Sequence, residues 1–390
     1  MSFLSKLPRP FFVLAPMDDI TDTVFRQIVA GCAPPDLYFT EFVNVDGLQS
    51  PGREKLLHKL RFGKKETPII AQIWGLKPEN FYKTTKELIK MGFDGVDLNL
   101  GCPVKTVIKN GACAALMNNR ELAGEIIEAT REGARSTGST SSPQASSGLA
   151  GKHFPVSVKT RVGFTTVDMS WLEFLLSKKL NMLSIHGRSA KQHSDKPPDW
   201  DAIGQVRKIR DFMFPAPIPQ PMRLDGMQGA DEQHTELYGK GTAKEQPQSA
   251  TPQSAKSTSG TTGSASRQAG AAHELRTLIV GNGDVMSRAQ GLELADKYKL
   301  DGIMIGRGVF ADPFVLAKQS PWAGYTQKQK IELYRRHVKL FAKTWTKGER
   351  RIETLNKFCK VYISGFDGAK ELREQLMSAK STGRLLDMLS

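Results

Sequence analysis

Eight short runs rich in apolar and β-branched residues punctuate the chain between residues 11 and 308, each running out into glycine or polar residues. They cover 11–17, 37–42, 69–74, 95–100, 156–162, 182–188, 277–283 and 302–308. Most are separated by stretches whose apolar positions recur at helical spacing, such as 78–91 and 120–132. Near-continuous apolar strands alternating with amphipathic helices predict a parallel sheet covered on its outer face by helices. Eight such units predict a closed (β/α)8 TIM barrel rather than an open doubly wound sheet.

Two stretches break this rhythm. Residues about 136–150 are rich in Ser, Thr and Gly, and a longer stretch runs over about 215–272, with no large apolar residue between 246 and 270. Such composition buries too little surface to offset its ordering entropy, so disorder is expected there. Both fall in helix-to-strand connections, opposite the strand ends where catalytic groups of a barrel collect. Beyond the eighth strand, 311–317 is expected to start a short helix and 327–389 to be helical with few breaks. The predicted division is a catalytic barrel over 1–320 and a small helical domain over 325–390. The helical part interleaves apolar Ile331, Leu333, Tyr334, Val338, Phe341 and Trp345 with basic Lys330, Arg335, Arg336, Lys339, Lys343 and Lys347. A second basic group follows, Arg350, Arg351, Lys357 and Lys360.

The chain is 390 residues long, 39% hydrophobic, with a net charge of +15. Its pI is near 9.6 and its mean hydropathy −0.36. That length accommodates a barrel of roughly 250 residues with an appendage. No apolar run approaches the ~20 residues that cross a bilayer, and residues 1–10 lack the apolar stretch of a secretory leader. Four dispersed cysteines, Cys32, Cys102, Cys113 and Cys359, form no paired motif. Neither a disulfide framework nor a metal site is expected, and the cytoplasm is the expected compartment. A charge of this size favours a polyanionic partner through counterion release, although a merely lysine-rich surface explains it equally well.

Candidate chemistry gathers at the predicted strand ends. Strands seven and eight close on Gly281, Asn282, Gly283, Asp284 and on Gly306, Arg307, Gly308. The loops after these two strands of a barrel commonly bind phosphate, with glycine allowing close backbone approach and Arg307 adding a charged donor. Tight turns are the plainer explanation of the same glycines. Pro16, Met17, Asp18, Glu41, Gln72, Asn99, Lys159, Arg161, His186 and Arg188 stand at or near other strand ends. Lys, Gln and His there suit the polar edge of a heteroaromatic cofactor, although any one alone is accounted for by satisfying buried backbone groups. Cys102 precedes Pro103 where the fourth strand runs into a loop, so it fits a nucleophile, a metal ligand or a proton donor. No metal-ligand spacing surrounds it. Cys113 lies among small residues and reads as a packing position.

These residues resemble, in order, the tRNA-dihydrouridine synthase family of bacterial type. The matching elements are Leu14 to Met17, Thr40 to Phe42, Gln72, Asp97 to Lys105, Val158 to Gly163, His186 to Arg188, Gly281 to Asp284 and Met304 to Gly308. The likeness covers about 11–318, and the helical C-terminal region fits the family's tRNA-binding domain more loosely. The resemblance implies an FMN enzyme that draws on NADPH to reduce the C5–C6 bond of uridines in tRNA. Carried over by motif, Pro16, Met17, Asp18, Gln72, Lys159, His186, Asn282, Gly283, Asp284, Gly306 and Arg307 would contact the flavin. Cys102 would be the proton donor, and Asn99 and Arg161 would orient the base or flavin. A monomer without bound metal is expected.

The chain departs from the family at Asp18 and Asp19, where small residues usually follow the proline–methionine pair, and at Cys113, where glycine is usual. It departs again after Arg188, where His193 and two prolines replace a glycine–tyrosine pattern. Two other functions stay open on sequence: a small-molecule flavin ene-reductase on the same barrel, and a tRNA-binding factor with a structural flavin. The first has no need of the basic helical region, and intact Cys102 and Lys159 weigh against the second.

Overall fold

The computed structural model describes residues 2–135, 153–192, 195–215 and 276–390. The expected disordered inserts, Pro215 apart, lie outside these residues, as does His193. Among the described residues, nine strands form one sheet in the order β1-β9-β8-β7-β6-β5-β4-β2, with β3 also paired to β4. They are β1 (Phe11–Leu14), β2 (Tyr38–Phe39), β3 (Val43–Asn44), β4 (Ile69–Trp74), β5 (Gly95–Leu100), β6 (Val156–Arg161), β7 (Met182–His186), β8 (Leu278–Asn282) and β9 (Gly302–Ile305). Every pairing is parallel, and a bridge between Val13 and Leu37 brings β1 back to the start of β2. The chain is a (β/α)8 barrel followed by C-terminal helices.

The second apolar run is split into β2 and β3. The Thr40 hydroxyl accepts from Gln72 N–H at 3.0 Å and donates to the Glu41 carbonyl at 2.7 Å, taking up a donor that would otherwise continue the strand ladder. The helix expected at 311–317 is instead a single turn, Gly308–Ala311, following directly on β9. It stops at Asp312, whose carboxylate accepts from Phe314 N–H at 2.7 Å.

Alternation along the strands sorts their residues into two cores. Phe11, Val13, Leu37, Phe39, Ile70, Met182, Val280 and Met304 fill the lower barrel interior. Their outward neighbours, among them Phe12, Leu14, Ile69, Leu183 and Ile303, pack against the helical shell. The same inward face turns polar toward the strand ends, with Gln72, Asp97, Ser157 and Lys159 above the apolar floor.

The C-terminal helices Gln327–Thr344, Asn356–Tyr362, Ala369–Ser378 and Thr382–Met388 are separated by breaks at 345–351, 363–368 and 379–381. Gly348, Gly365 and Gly368 adopt positive φ in the first two breaks. These helices lie directly on the barrel: the Phe358 ring stands 4.8 Å from that of Phe25, on the first barrel helix, Thr23–Cys32. Arg350 is buried against three barrel carboxylates, donating to Glu41 and, at 3.1 Å, to Asp19, with Asp22 4.0 Å away. Among the described residues, no helix is long and apolar enough to cross a membrane.

Candidate active site

Strand register builds the site in layers. Gln72 pairs with Asp97 across β4–β5, Asp97 with Ser157 across β5–β6, and Asn99 with Lys159 one layer higher. Asp97 accepts from Gln72 Nε2 at 2.7 Å and from the Ser157 hydroxyl at 2.6 Å. The Asn99 amide donates to Gln72 Oε1 at 3.1 Å. Burial pushes the Asp97 carboxyl up to about 6 against those hydrogen bonds and the nearby Lys159 charge.

Above this network opens a hollow of about 250 Å³ lined by Ala15, Pro16, Met17, Lys159, Arg161, His186, Asn282, Asp284, Val285, Gly306 and Arg307. Pro16, Met17, Lys159, His186, Asn282, Asp284, Gly306 and Arg307, all expected at a cofactor, thus share one wall, and Arg161 joins them. Asp18 is not among these lining residues and pairs with Lys59. Gln72 lies fully buried in the layer beneath. Gly283 supplies a turn, with φ +145°, where an added Cβ would stand 2.6 Å from Pro198.

The hollow is strongly cationic. Burial, with Arg161 beside it, lowers the Lys159 ammonium to about 8. Burial and the Lys159, Arg161 and Arg188 charges lower His186 to about 2, so this imidazole is neutral at any working pH. Its Nδ1 is buried without a hydrogen-bond partner. Such an atom is rare in a finished protein interior and marks a place where a ligand group belongs. At Gly306 an added Cβ would approach Ala15 no closer than 3.5 Å, leaving the backbone accessible from the hollow. Asp284 is held by Arg188 and Arg307, which draw its carboxyl down to about 2. An unpartnered neutral ring nitrogen, a buried ammonium and an open glycine backbone fit the polar edge of a flavin ring and an anionic group beside it.

Cys102 is not on this wall but on the loop beside it. The Asn99 side-chain oxygen accepts from Cys102 N–H at 2.9 Å and from Gly101 N–H at 3.2 Å, so the amide shapes the loop. Arg161 ties the same loop to the segment after β7, donating from Nε to the Gly101 carbonyl at 2.9 Å and from Nη1 to the Ser189 carbonyl at 3.0 Å. A hydrogen bond from the Cys113 thiol, opposed by burial, lowers the Cys102 thiol to about 7, with Val104 N–H and Arg161 assisting. Next to this loop lies a second hollow, of about 300 Å³, lined by Pro103, Lys105, Ile108, Lys109, Phe164, Ala190 and Lys191.

Several of these features have no signal in the sequence. The bidentate hold of Arg188 on Asp284 and the capture of Glu41 by Arg350 join residues far apart along the chain, and the pairing of Cys113 with Cys102 depends on the conformation of the loop between them. Their only trace is residue type at a strand end.

The family model for dihydrouridine synthase (Dus) matches residues 13–213 and 271–390. A probable tRNA-dihydrouridine synthase of Staphylococcus aureus (strain COL) is 36% identical over 383 residues, covering 97% of this chain and 92% of the relative. The probable tRNA-dihydrouridine synthase 2 of Bacillus subtilis (strain 168) is 34% identical over 391 residues, covering 100% and 95%. Among solved structures, the old yellow enzyme homologue from Zymomonas mobilis aligns with 80% of this chain and 90% of that chain at a TM-score of 0.40 and 11% identity. That last likeness is too slight to bear on the assignment.

Proposed function

The chain belongs to the dihydrouridine synthase family, and from that premise we propose that it reduces the C5–C6 double bond of uridines in tRNA, with FMN in the mouth hollow and NADPH as reductant. The observation that carries the reading is a cationic hollow with an unpartnered imidazole nitrogen, flanked by a loop that presents a thiol tuned to neutral pH. Bound there, the flavin would supply the hydride that uracil C6 takes up. Lys159 and Arg161 would hold the negative charge that accompanies this transfer, and Arg307 with the Gly306 backbone would hold the phosphate. Neutral His186 would hydrogen-bond the ring edge.

Cys102 would hold the proton delivered to uracil C5. The thiolate left behind is stabilised by the Cys113 S–H, the Val104 N–H and the Arg161 charge, and such charge-assisted contacts are stronger than neutral ones. Asn99 acts on the base through the loop it shapes, and Arg161 orients the base from the neighbouring strand end.

The target base must first leave its stack, at a cost of a few kcal/mol. Phosphate contacts offset that cost. Exposed Lys105, Lys109 and Lys191 rim the second hollow, and a second exposed basic group, Lys328, Arg336, Lys339, Lys343 and Lys347, stands in the C-terminal region. Residues 325–390 are proposed to grip the tRNA and residues 1–320 to hold the flavin. Reversing charge at Lys339, Lys343 and Lys347 together is expected to flatten the slope of log affinity for tRNA against log salt by about 0.7–0.9 for each phosphate these lysines neutralise. Flavin content should be unchanged. An unaltered salt slope would place the tRNA elsewhere.

The proposal is tested by incubating the purified protein with NADPH and unmodified tRNA. Mass mapping should show uridines heavier by two hydrogens, and acid denaturation should release FMN. Release of FAD, or reduction of small enones but not of tRNA, would contradict it.

A further inference from the structure

Cys113 occupies a backbone conformation that costs any residue but glycine, with φ +53°. Nothing about its packing demands a thiol there. Ala112, Ala114 and Ala115 flank it, and the site is buried with 1% exposure. A buried non-glycine residue held in this conformation raises the question of what its side chain does there. What the conformation achieves is a hydrogen bond between the Cys113 thiol and Cys102. The two segments are joined on the main chain as well, Ala114 N–H donating to the Cys102 carbonyl at 3.4 Å. Cys102, at 9% exposure, is the member of the pair nearer solvent.

We propose that Cys102 and Cys113 form a reversible oxidation site, closing into an intramolecular disulfide under hydrogen peroxide and thereby switching off uridine reduction. The disulfide rests on the contact between the two thiols and the main-chain bond beside it; its effect on turnover rests on the proton-donor role proposed above for Cys102. The Cys102 thiolate attacks one peroxide oxygen, the O–O bond breaks, and hydroxide leaves while Cys102 becomes a sulfenic acid. The Cys113 sulfur then attacks the Cys102 sulfur, forming the S–S bond and breaking the S–O bond. The second hydroxide departs and takes up the Cys113 proton as water, while the first combines with the proton released when Cys102 ionised. Two thiols lose two electrons and two protons, and one peroxide becomes two waters.

The two thiols divide these roles by environment. The lowered Cys102 is ionised in a substantial fraction at neutral pH, as a peroxide-reactive thiol requires, whereas burial keeps Cys113 protonated until it attacks. Closure also protects Cys102. Without a resolving partner the sulfenic acid proceeds to sulfinic acid, which thiol reductants do not reverse. Cys359 shares a hydrogen bond with Tyr334 instead, and serves as an internal control.

The test treats the flavin-loaded protein with an excess of hydrogen peroxide, since a thiol consumes two equivalents to reach sulfinic acid, alkylates it under denaturing conditions and digests it with trypsin. Cleavage after Lys90, Lys105, Lys109 and Arg120 places the two cysteines on separate peptides, 91–105 and 110–120. The wild type should yield these two linked, lighter than their sum by two hydrogens, with tRNA reduction lost and then restored by dithiothreitol. Cys113→Gly, which suits the positive φ, should give no linked peptide, accumulate sulfinic acid at Cys102 and fail to recover. Absence of the linked peptide from oxidised wild type would overturn the proposal, as would full recovery of Cys113→Gly. A linked peptide with undiminished tRNA reduction would leave the disulfide standing and overturn the role given to Cys102.

Discussion

Replacing Cys102 by alanine is expected to slow reduction of uridine in tRNA by roughly 10²–10⁴-fold, the usual contribution of a positioned general acid. FMN retention and flavin reduction by NADPH should stay as in the wild type, because Cys102 lies on the loop beside the cationic hollow and not on its wall. The pH dependence carries the same signature. The thiol is lowered to about 7, and only its protonated form donates. The wild-type rate of the tRNA step should therefore fall as pH rises through about 7, and this limb should vanish in Cys102→Ala. A variant with wild-type turnover and reduced stability would make Cys102 a packing residue. Inhibition of the wild type by chelators would instead make it a metal ligand.

The largest effect on stability is expected at Arg350, which joins the break after the helix Gln327–Thr344 to the barrel rim. Its side chain is 4% exposed and Glu41 is fully buried, so water screens neither charge. Glu41 is itself fixed in place, accepting from Asp19 N–H at 2.7 Å through its other oxygen. Arg350→Met should destabilise the protein by about 3–5 kcal/mol, because it strands a buried carboxylate. The double variant Glu41→Gln, Arg350→Met should cost less than the sum of the single ones, since no lone charge remains. Denaturant unfolding measures all three, and a cost for Arg350→Met within about 0.5 kcal/mol of zero, as at ordinary surface positions, would remove the tie. Cutting the chain near residue 325 is for this reason a poor probe of tRNA binding: it strips Phe25 and Phe310 of Phe358 as well as Glu41 of Arg350.

The barrel was legible because strand and helix periods differ and because its strands are apolar over most of their length. Its second strand was legible only as one run. The break at Thr40 depends on a hydroxyl that bonds across to Gln72, and Glu41 is claimed by an arginine 309 residues away. Alternation told which side of a strand faces inward but not how deep each residue sits. Gln72 was expected to touch the flavin and Asn99 to orient the base or flavin; register between strands sets their depth, and both side chains join the hydrogen-bond network around Asp97. Lys159, His186 and Arg307, one level higher, do reach the hollow. Cys113 was read as packing, and it is buried. Its bond to Cys102 follows from a positive φ that residue type does not reveal. Asp18, adjacent to Met17 in sequence, pairs with Lys59 and is not among the residues that line the hollow.

The central claim is that the mouth of this barrel passes reducing equivalents from a bound flavin to uridine in tRNA, with Cys102 as the acid. Single-turnover mixing tests it most directly. Protein reduced beforehand under anaerobic conditions is mixed with unmodified tRNA, and flavin absorbance and dihydrouridine are followed together. The account predicts that flavin reoxidation and dihydrouridine appear with one rate in the wild type, and that Cys102→Ala slows both by the same factor. Reoxidation at the wild-type rate in Cys102→Ala, or a wild-type flavin that unmodified tRNA leaves reduced, would contradict it.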